Sequence, residues 1–303
     1  MTLHLPFIDV SINAQWSDWE HYPNGRPNPL YSQQVLDYNV DGLVFGFVTL
    51  ATNGEPCWAA QPTMGMDWAL PLAKDIQPSN KKVVISFGGA SNQDISIQYS
   101  VEKLIETYGK FIDMYQAYGL DFDLENGLFN DKNIALALKS VKSKYPNLVI
   151  SLTLPTLPTG LTATGLSSVN AFKDQGFDFV VNGMAMDYYD EQWKEKMGDA
   201  AIQASTSIKD QLKTLYTSLS DSQLYGKVAI TPMIGLNDDL SMFTIDDAAS
   251  VSKFAKSNQM SFTASWDLNR DNPSSFSYVD LQTSSNPDQK ESGEYSITFV
   301  TSK

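Results

Sequence analysis

Short apolar, β-branched runs alternate with amphipathic helical segments along nearly the whole chain, and this alternation restricts the fold more than any other feature. Runs near 7–12, 42–49, 82–87, 119–124, 148–154, 177–185, 227–233 and 261–266 read as strands. Several are almost continuously hydrophobic, as strands buried on both faces are. Between them, Val101, Leu104, Ile105, Tyr108, Phe111, Ile112 and Tyr115 follow the spacing of one helix face. Ile134, Leu138 and Val141 do likewise before Pro146, and 202–219 and 246–257 also read as helices. About eight strand–helix repeats in 303 residues predict an α/β fold, a (β/α)8 TIM barrel, with 1–303 forming a single domain. A doubly wound open sheet is the competitor, but it announces itself with a glycine-rich phosphate loop. Gly88-Gly89 is followed by no Gly-x-Gly-x-x-Gly. No Pro/Gly/Ser-rich linker comes before Thr283, and the polar stretch 282–292 reads as a loop or tail.

In the fourth predicted strand, Gly119-Leu120-Asp121-Phe122-Asp123-Leu124-Glu125, three carboxylates alternate with apolar residues. At strand period Asp121, Asp123 and Glu125 share one face, and Leu120, Phe122 and Leu124 the other. Carboxylates this close in a partly buried setting cannot all ionise, so at least one holds its proton near neutral pH. That is the equipment of a general acid. The spacing alone leaves open an acidic edge strand or a divalent-metal site. Position adds to it, because a barrel carries its catalytic groups at the C-terminal ends of its strands. Glu125 ends the fourth strand, Gly88-Gly89 the third, Asp187-Tyr188-Tyr189 the sixth and Trp266-Asp267 the eighth. All four unusual clusters fall at one end.

Composition narrows the chemistry. A net charge of −14 argues against nucleic acid and anionic membranes as partners. Arg26 and Arg270 are the only arginines, so Arg forks for phosphate or carboxylate substrates are not expected, and a neutral or weakly cationic substrate fits better. His4 and His21 both lie early, so a Ser-His-Asp triad or a His-based zinc site would have to recruit one of them. Cys57 stands alone, which leaves no intramolecular disulfide. No apolar run reaches membrane-spanning length. Residues 1–6 lack the basic start and apolar stretch of a leader. The expectation is nonetheless a catalytic part of a longer, extracellular protein, acting as a monomer without metal or cofactor.

These segments resemble the family 18 glycoside hydrolases, which include most bacterial chitinases. The family pattern Asp-Gly-x-Asp-x-Asp-x-Glu is matched from Gly119 to Glu125, with Tyr118 at the outermost Asp. Ser86-Phe87-Gly88-Gly89 matches Ser-x-Gly-Gly, and Met184-Ala185-Met186-Asp187-Tyr188 is similar to the Met-x-Met-Asp-Tyr of a bacterial and archaeal branch. Ser265-Trp266-Asp267 offers the tryptophan that floors the family's sugar pocket. The resemblance implies hydrolysis of chitin or chitooligosaccharides by a retaining mechanism in which the substrate's 2-acetamido oxygen is the nucleophile. Glu125 would be acid and then base, and Asp123 would bind the acetamido N–H. Asp121 would share a proton with Asp123. Tyr188 would hold the acetamido oxygen, with Tyr189 its competitor for the role, and Trp266 would lie beneath the sugar ring. Met186 is the expected pocket wall and Met184 barrel lining. Asp187 would bind sugar hydroxyls or pair with a lysine, while Ser86 and Gly88 would shape the backbone beneath the substrate. Trp16, Trp58, Trp68 and Trp193 are candidates for outer sugar sites. An endo-β-N-acetylglucosaminidase acting on N-glycan cores would use the same groups. An inactive chitin-binding barrel is disfavoured by the presence of Glu125, Asp123 and Tyr188.

Overall fold

In the computed structural model, which describes residues 2–302, the first strand is broken by a proline. Its two pieces, Leu3–His4 and Phe7–Asp9, together form β1. Pro6 has no N–H to give a neighbour, but Leu5 N and Phe7 N still donate to Thr263 O (2.9 Å) and Ser265 O (3.0 Å). Val44 N donates to Pro6 O (3.0 Å) on the other side. The strands that follow are β2 (Gly42–Leu50), β3 (Lys82–Gly88), β4 (Gly119–Asp123) and β5 (Val149–Leu157). After these come β6 (Val180–Ala185), β7 (Val228–Pro232) and β8 (Phe262–Thr263). Each pairs in parallel with its sequence neighbour, and β1 pairs with both β2 and β8. With the two pieces of β1 counted as one strand, the nine-segment path closes into the expected eight-stranded barrel.

A helix follows every strand. They are α1 (Pro29–Asp37), α2 (Leu70–Ile76), α3 (Val101–Tyr115), α4 (Asp131–Lys144), α5 (Ala163–Lys173), α6 (Met197–Leu215), α7 (Ile245–Ser257) and α8 (Glu294–Thr301). The predicted bounds of α3 hold because its ends are chemically marked. Ser100 Oγ accepts from Lys103 N at the start, and Gln116 takes the left-handed conformation (φ 47°) at the finish. The predicted helix 202–219 is displaced, since Met197–Leu215 is followed by a separate turn of helix at Asp221–Tyr225. The strand expected at 7–12 stops at Asp9, whose carboxylate turns the chain by accepting from Ser11 N (2.9 Å). The polar stretch 282–292 is a loop wired into the barrel. Gln289 Nε2 donates to the buried Asp271 (2.9 Å), which also accepts from Tyr295 N (3.2 Å) and Ser296 N (2.8 Å) at the start of α8.

The pleat of β4 sorts its side chains as the sequence predicts. Leu120, Phe122 and Leu124 are buried in the layer beneath the helices. There Phe122 stacks on Phe87 (5.5 Å) and meets Tyr108 (5.3 Å) and Phe172 (6.1 Å) edge-on. This ring cluster fixes the rotation of β4, so Asp121 and Asp123 face the barrel interior.

Candidate active site

Asp121 is fully buried and held by three hydroxyls: Ser86 Oγ donates to its Oδ2 (2.6 Å), and Ser151 Oγ (2.6 Å) and Thr153 Oγ1 (2.7 Å) donate to its Oδ1. Burial pushes its carboxyl up, and the three hydroxyls pull against that. One step nearer the strand end, Asp123 is also buried and is hydrogen-bonded to Glu125. Burial, then the neighbouring charges of Glu125 and Asp121, hold Asp123 well above the usual carboxylate range. Its Oδ1 has no protein partner. Glu125 lies open to the cleft, yet protein surrounds the cleft closely enough to desolvate its carboxyl and raise it, against the pull of the Asp123 hydrogen bond. Hydroxyls occupy both oxygens of Asp121, and the carboxyl that Asp123 is bonded to is that of Glu125.

These groups open into a cleft of about 320 Å³ at the C-terminal ends of the strands. Its apolar wall is Trp266 stacked on Phe47 (5.7 Å between centroids), with Phe7 tilted against both at 6.1 Å. The peptide bonds Gly46–Phe47 and Trp266–Asp267 are cis. Gly88 lines the cleft where β3 and β4 approach most closely, and its backbone has φ +101°. Asn126, the residue after the acid, ties the facing loop down by donating to Gly89 O (3.1 Å) and Asn92 O (2.9 Å). Among the described residues, no group of three or more His, Cys, Asp or Glu has the arrangement to hold a metal ion.

The predicted β6 residues divide. Met184, Met186 and Asp187 line the cleft. Asp187 Oδ1 accepts from Asp238 N (2.7 Å), and among the described residues no lysine pairs with it. Burial first, then Asp238 and Asp239, push its carboxyl up to about 6. Tyr188 and Tyr189 do not line it. Asp187 (φ 50°) and Tyr189 (φ 52°) both adopt the left-handed conformation, which breaks the alternation past the strand end. Tyr188 turns into the core and a separate cavity beside Trp193, and Tyr189 is 76% exposed. Ser86 also lies outside the cleft, one layer below, and acts on Asp121 rather than on a ligand. Trp58 is wholly buried and Trp68 nearly so, while Trp16 is exposed. Tyr118 sits before the start of β4 beneath the Lys82 ammonium (5.3 Å), at the end of the strand opposite the acid.

Phe47, Asp9, Thr153, Thr231, Met233 and Asp238 are among the lining residues that were not singled out in the sequence. Thr231 and Met233 had one legible signal, their place near or just beyond the end of a barrel strand. The assembled site is a close carboxyl pair beside an aromatic wall, with a buried acceptor, Asp123 Oδ1, that has no protein donor.

A sequence model described as "Glycosyl hydrolases family 18" matches residues 14–220. Over 291 residues the chain is 28% identical to a probable bifunctional chitinase/lysozyme of Escherichia coli (strain K12), covering 89% of this chain and 31% of that protein. It is 27% identical over 291 residues to endochitinase 11 of Metarhizium anisopliae, covering 89% of this chain and 53% of that one. The chain thus spans about a third to a half of the length of these curated relatives. The crystal structure of the catalytic domain of a hyperthermophilic chitinase from Pyrococcus furiosus superposes with a TM-score of 0.86 at 28% identity, covering 99% of this chain and 94% of that one.

Proposed function

Because the chain belongs to the family 18 glycosyl hydrolases, and is therefore a glycoside hydrolase, we propose that it cleaves β-1,4 bonds between N-acetylglucosamine units of chitin or chitooligosaccharides. The observation that carries this reading is Asp123, buried, hydrogen-bonded to Glu125, and left with an unpartnered Oδ1. A buried acceptor without a donor is costly, on the order of 1–3 kcal/mol, and the N–H of a 2-acetamido group would satisfy it. Glu125, carrying the shared proton, gives it to the glycosidic oxygen as the bond to the leaving sugar breaks. The acetamido oxygen forms a bond to the anomeric carbon in its place, and Asp123 stabilises the positive oxazolinium ion that results. Water then attacks that carbon as its bond to the acetamido oxygen breaks, and Glu125 takes a proton from the water. Trp266 supports the apolar face of the ring. Tyr188 is set aside as the holder of the acetamido oxygen, so orientation of the group falls to Asp123 and the walls made by Trp266, Met184 and Met186.

Incubation with N-acetylglucosamine oligomers, with fully deacetylated oligomers and with a high-mannose glycopeptide, followed by mass analysis, tests the reading. Cleavage of the acetylated oligomers alone is expected. Efficient cleavage of the deacetylated ones would require a protein nucleophile and sink the substrate-assisted scheme. Preference for the glycopeptide would reassign the substrate to N-glycan cores.

A further inference from the structure

Six side chains from five adjacent strands form one continuous hydrogen-bonded strip inside the barrel, just beneath the cleft: Ser86, Asp121, Ser151, Thr153, Asn182 and Thr231. Each is 2% exposed or less, and Thr153 and Thr231 also line the cleft. The bonds run in one direction. Thr231 Oγ1 on β7 donates to Asn182 Oδ1 on β6 (2.8 Å), and Asn182 Nδ2 donates to Thr153 Oγ1 on β5 (2.9 Å). Thr153 Oγ1 then donates to Asp121 Oδ1 on β4 (2.7 Å). Ser86 and Ser151 add their own hydroxyls, so Asp121 accepts in every side-chain hydrogen bond it makes along the strip. A carboxyl surrounded by donors is best served by being ionised, and a chain of such bonds polarises itself in the same sense.

Hydroxyls can rotate to give or to take, but an amide cannot. Asn182 is the one member of the strip whose donor and acceptor are different atoms, and it therefore sets the direction in which its neighbours point. With the amide turned over, its oxygen would claim the Thr153 hydroxyl. Asp121 would lose a donor and would have to carry a proton to keep that contact.

We propose that Asn182 is a positioning residue for catalysis. By fixing the direction of the strip it keeps Asp121 ionised beneath Asp123 and Glu125, so that the one proton the three carboxylates share stays on the upper pair. Thr231, whose proton is committed to Asn182, meets a bound sugar as an acceptor. Without Asn182 the proton spends part of its time on Asp121, where it cannot reach the glycosidic oxygen. The active form then needs a second proton and is populated at lower pH. This rests on the reading of Glu125 as the acid.

The test is the pH dependence of kcat and KM on chitooligosaccharides. Asn182→Leu, which removes both bonds at similar volume, should lower kcat near pH 7 with little change in KM. It should also move the basic limb of the profile about one unit toward acid, the size expected when a neighbouring charge is lost. Thr231→Val, which frees the amide to turn, should move the limb the same way by less, and Thr231→Ser, which restores the hydroxyl, should return it. The Thr231 pair carries the test by itself if Asn182→Leu does not fold. A uniform fall in kcat at all pH values, with every limb unmoved, overturns the role given to Asn182 while leaving the acid in place. Near-normal turnover by Glu125→Gln would remove the acid, and this proposal with it.

Discussion

Replacing Gly88 by alanine tests how tightly the site is held between two strands. A Cβ at Gly88 would stand 2.2 Å from the carbonyl oxygen of Asp123, and the residue has φ +101°. Restoring an ordinary contact moves that oxygen, and Asp123 with it, by about 1 Å. The unfavourable backbone conformation costs about 1–3 kcal/mol. The overlap costs about 1–3 kcal/mol more. For a chain of 303 residues, a combined loss of about 2–6 kcal/mol lowers Tm by about 3–9 °C. A 1 Å displacement of the carboxylates should also lower kcat about 10²-fold. Gly127→Ala is the control, because Gly127 also has positive φ (+76°) but has nothing within 4 Å of the added methyl. It should lose only the backbone contribution and keep most of its turnover. Calorimetric melting and initial rates on a chitooligosaccharide measure both quantities. Equal Tm losses in the two variants, with normal turnover by Gly88→Ala, would refute the close-approach argument.

Glu125→Gln should retain fold and sugar binding, seen by calorimetric titration, while hydrolysis falls about 10²–10⁴-fold. The first product released should be the β-anomer, because two successive inversions restore the starting configuration; proton NMR before mutarotation reads this, and an initial α-anomer would exclude the acetamido nucleophile. His4 is buried against Phe299 (4.4 Å, stacked), and burial, then the Lys256 charge, push its ring down to about 3 from 6.5. The unfolded chain therefore binds that proton first, so the stability contributed by neutral His4 is complete above pH 6.5 and is lost as pH falls toward 3, by at most about 1.4 kcal/mol per unit. The difference in urea midpoint between the protein and His4→Gln should shrink from pH 7 to pH 5, and a constant difference would contradict the assignment.

The barrel and its acid strand were legible because their patterns are strong and local. The spacing of Val101 to Tyr115 and the alternation of Leu120 to Glu125 are each satisfied by one packing arrangement. α8 was missed because Glu-Tyr-Ser-Ile-Thr-Phe-Val-Thr is rich in strand-favouring residues, and tertiary packing overrides that preference. α5 was missed because Gly165, Ser167, Ser168 and Asn170 blur its apolar stripe. The role of Tyr188 came from the resemblance alone, and past Ala185 two left-handed residues reset the direction of the side chains. Ser86 was expected to shape the backbone beneath the substrate, and it acts through its hydroxyl instead. Its partner in register is Asp121, not Asp123. Asn182 and Thr231 are each the single residue of their kind in largely apolar strands and Thr153 lies among the apolar residues of β5, and only the register of β4 through β7 reveals that they meet.

Closure of the sheet through β1 has a consequence for biosynthesis. Leu3 and His4 pair with Phe262 and Thr263, and His4 Nδ1 lies 3.0 Å from Thr263 Oγ1, across 259 positions of the chain. On the ribosome, at about 5–20 residues per second, the first strand waits roughly 13–50 s before its last neighbour is made. During that interval the nascent sheet carries two unpaired edges that invite association with other chains. Pro6 faces β2, accepting from Val44 N, so the edge that waits for β8 keeps the donors of Leu5 and Phe7. That edge therefore stays competent to pair until β8 is made.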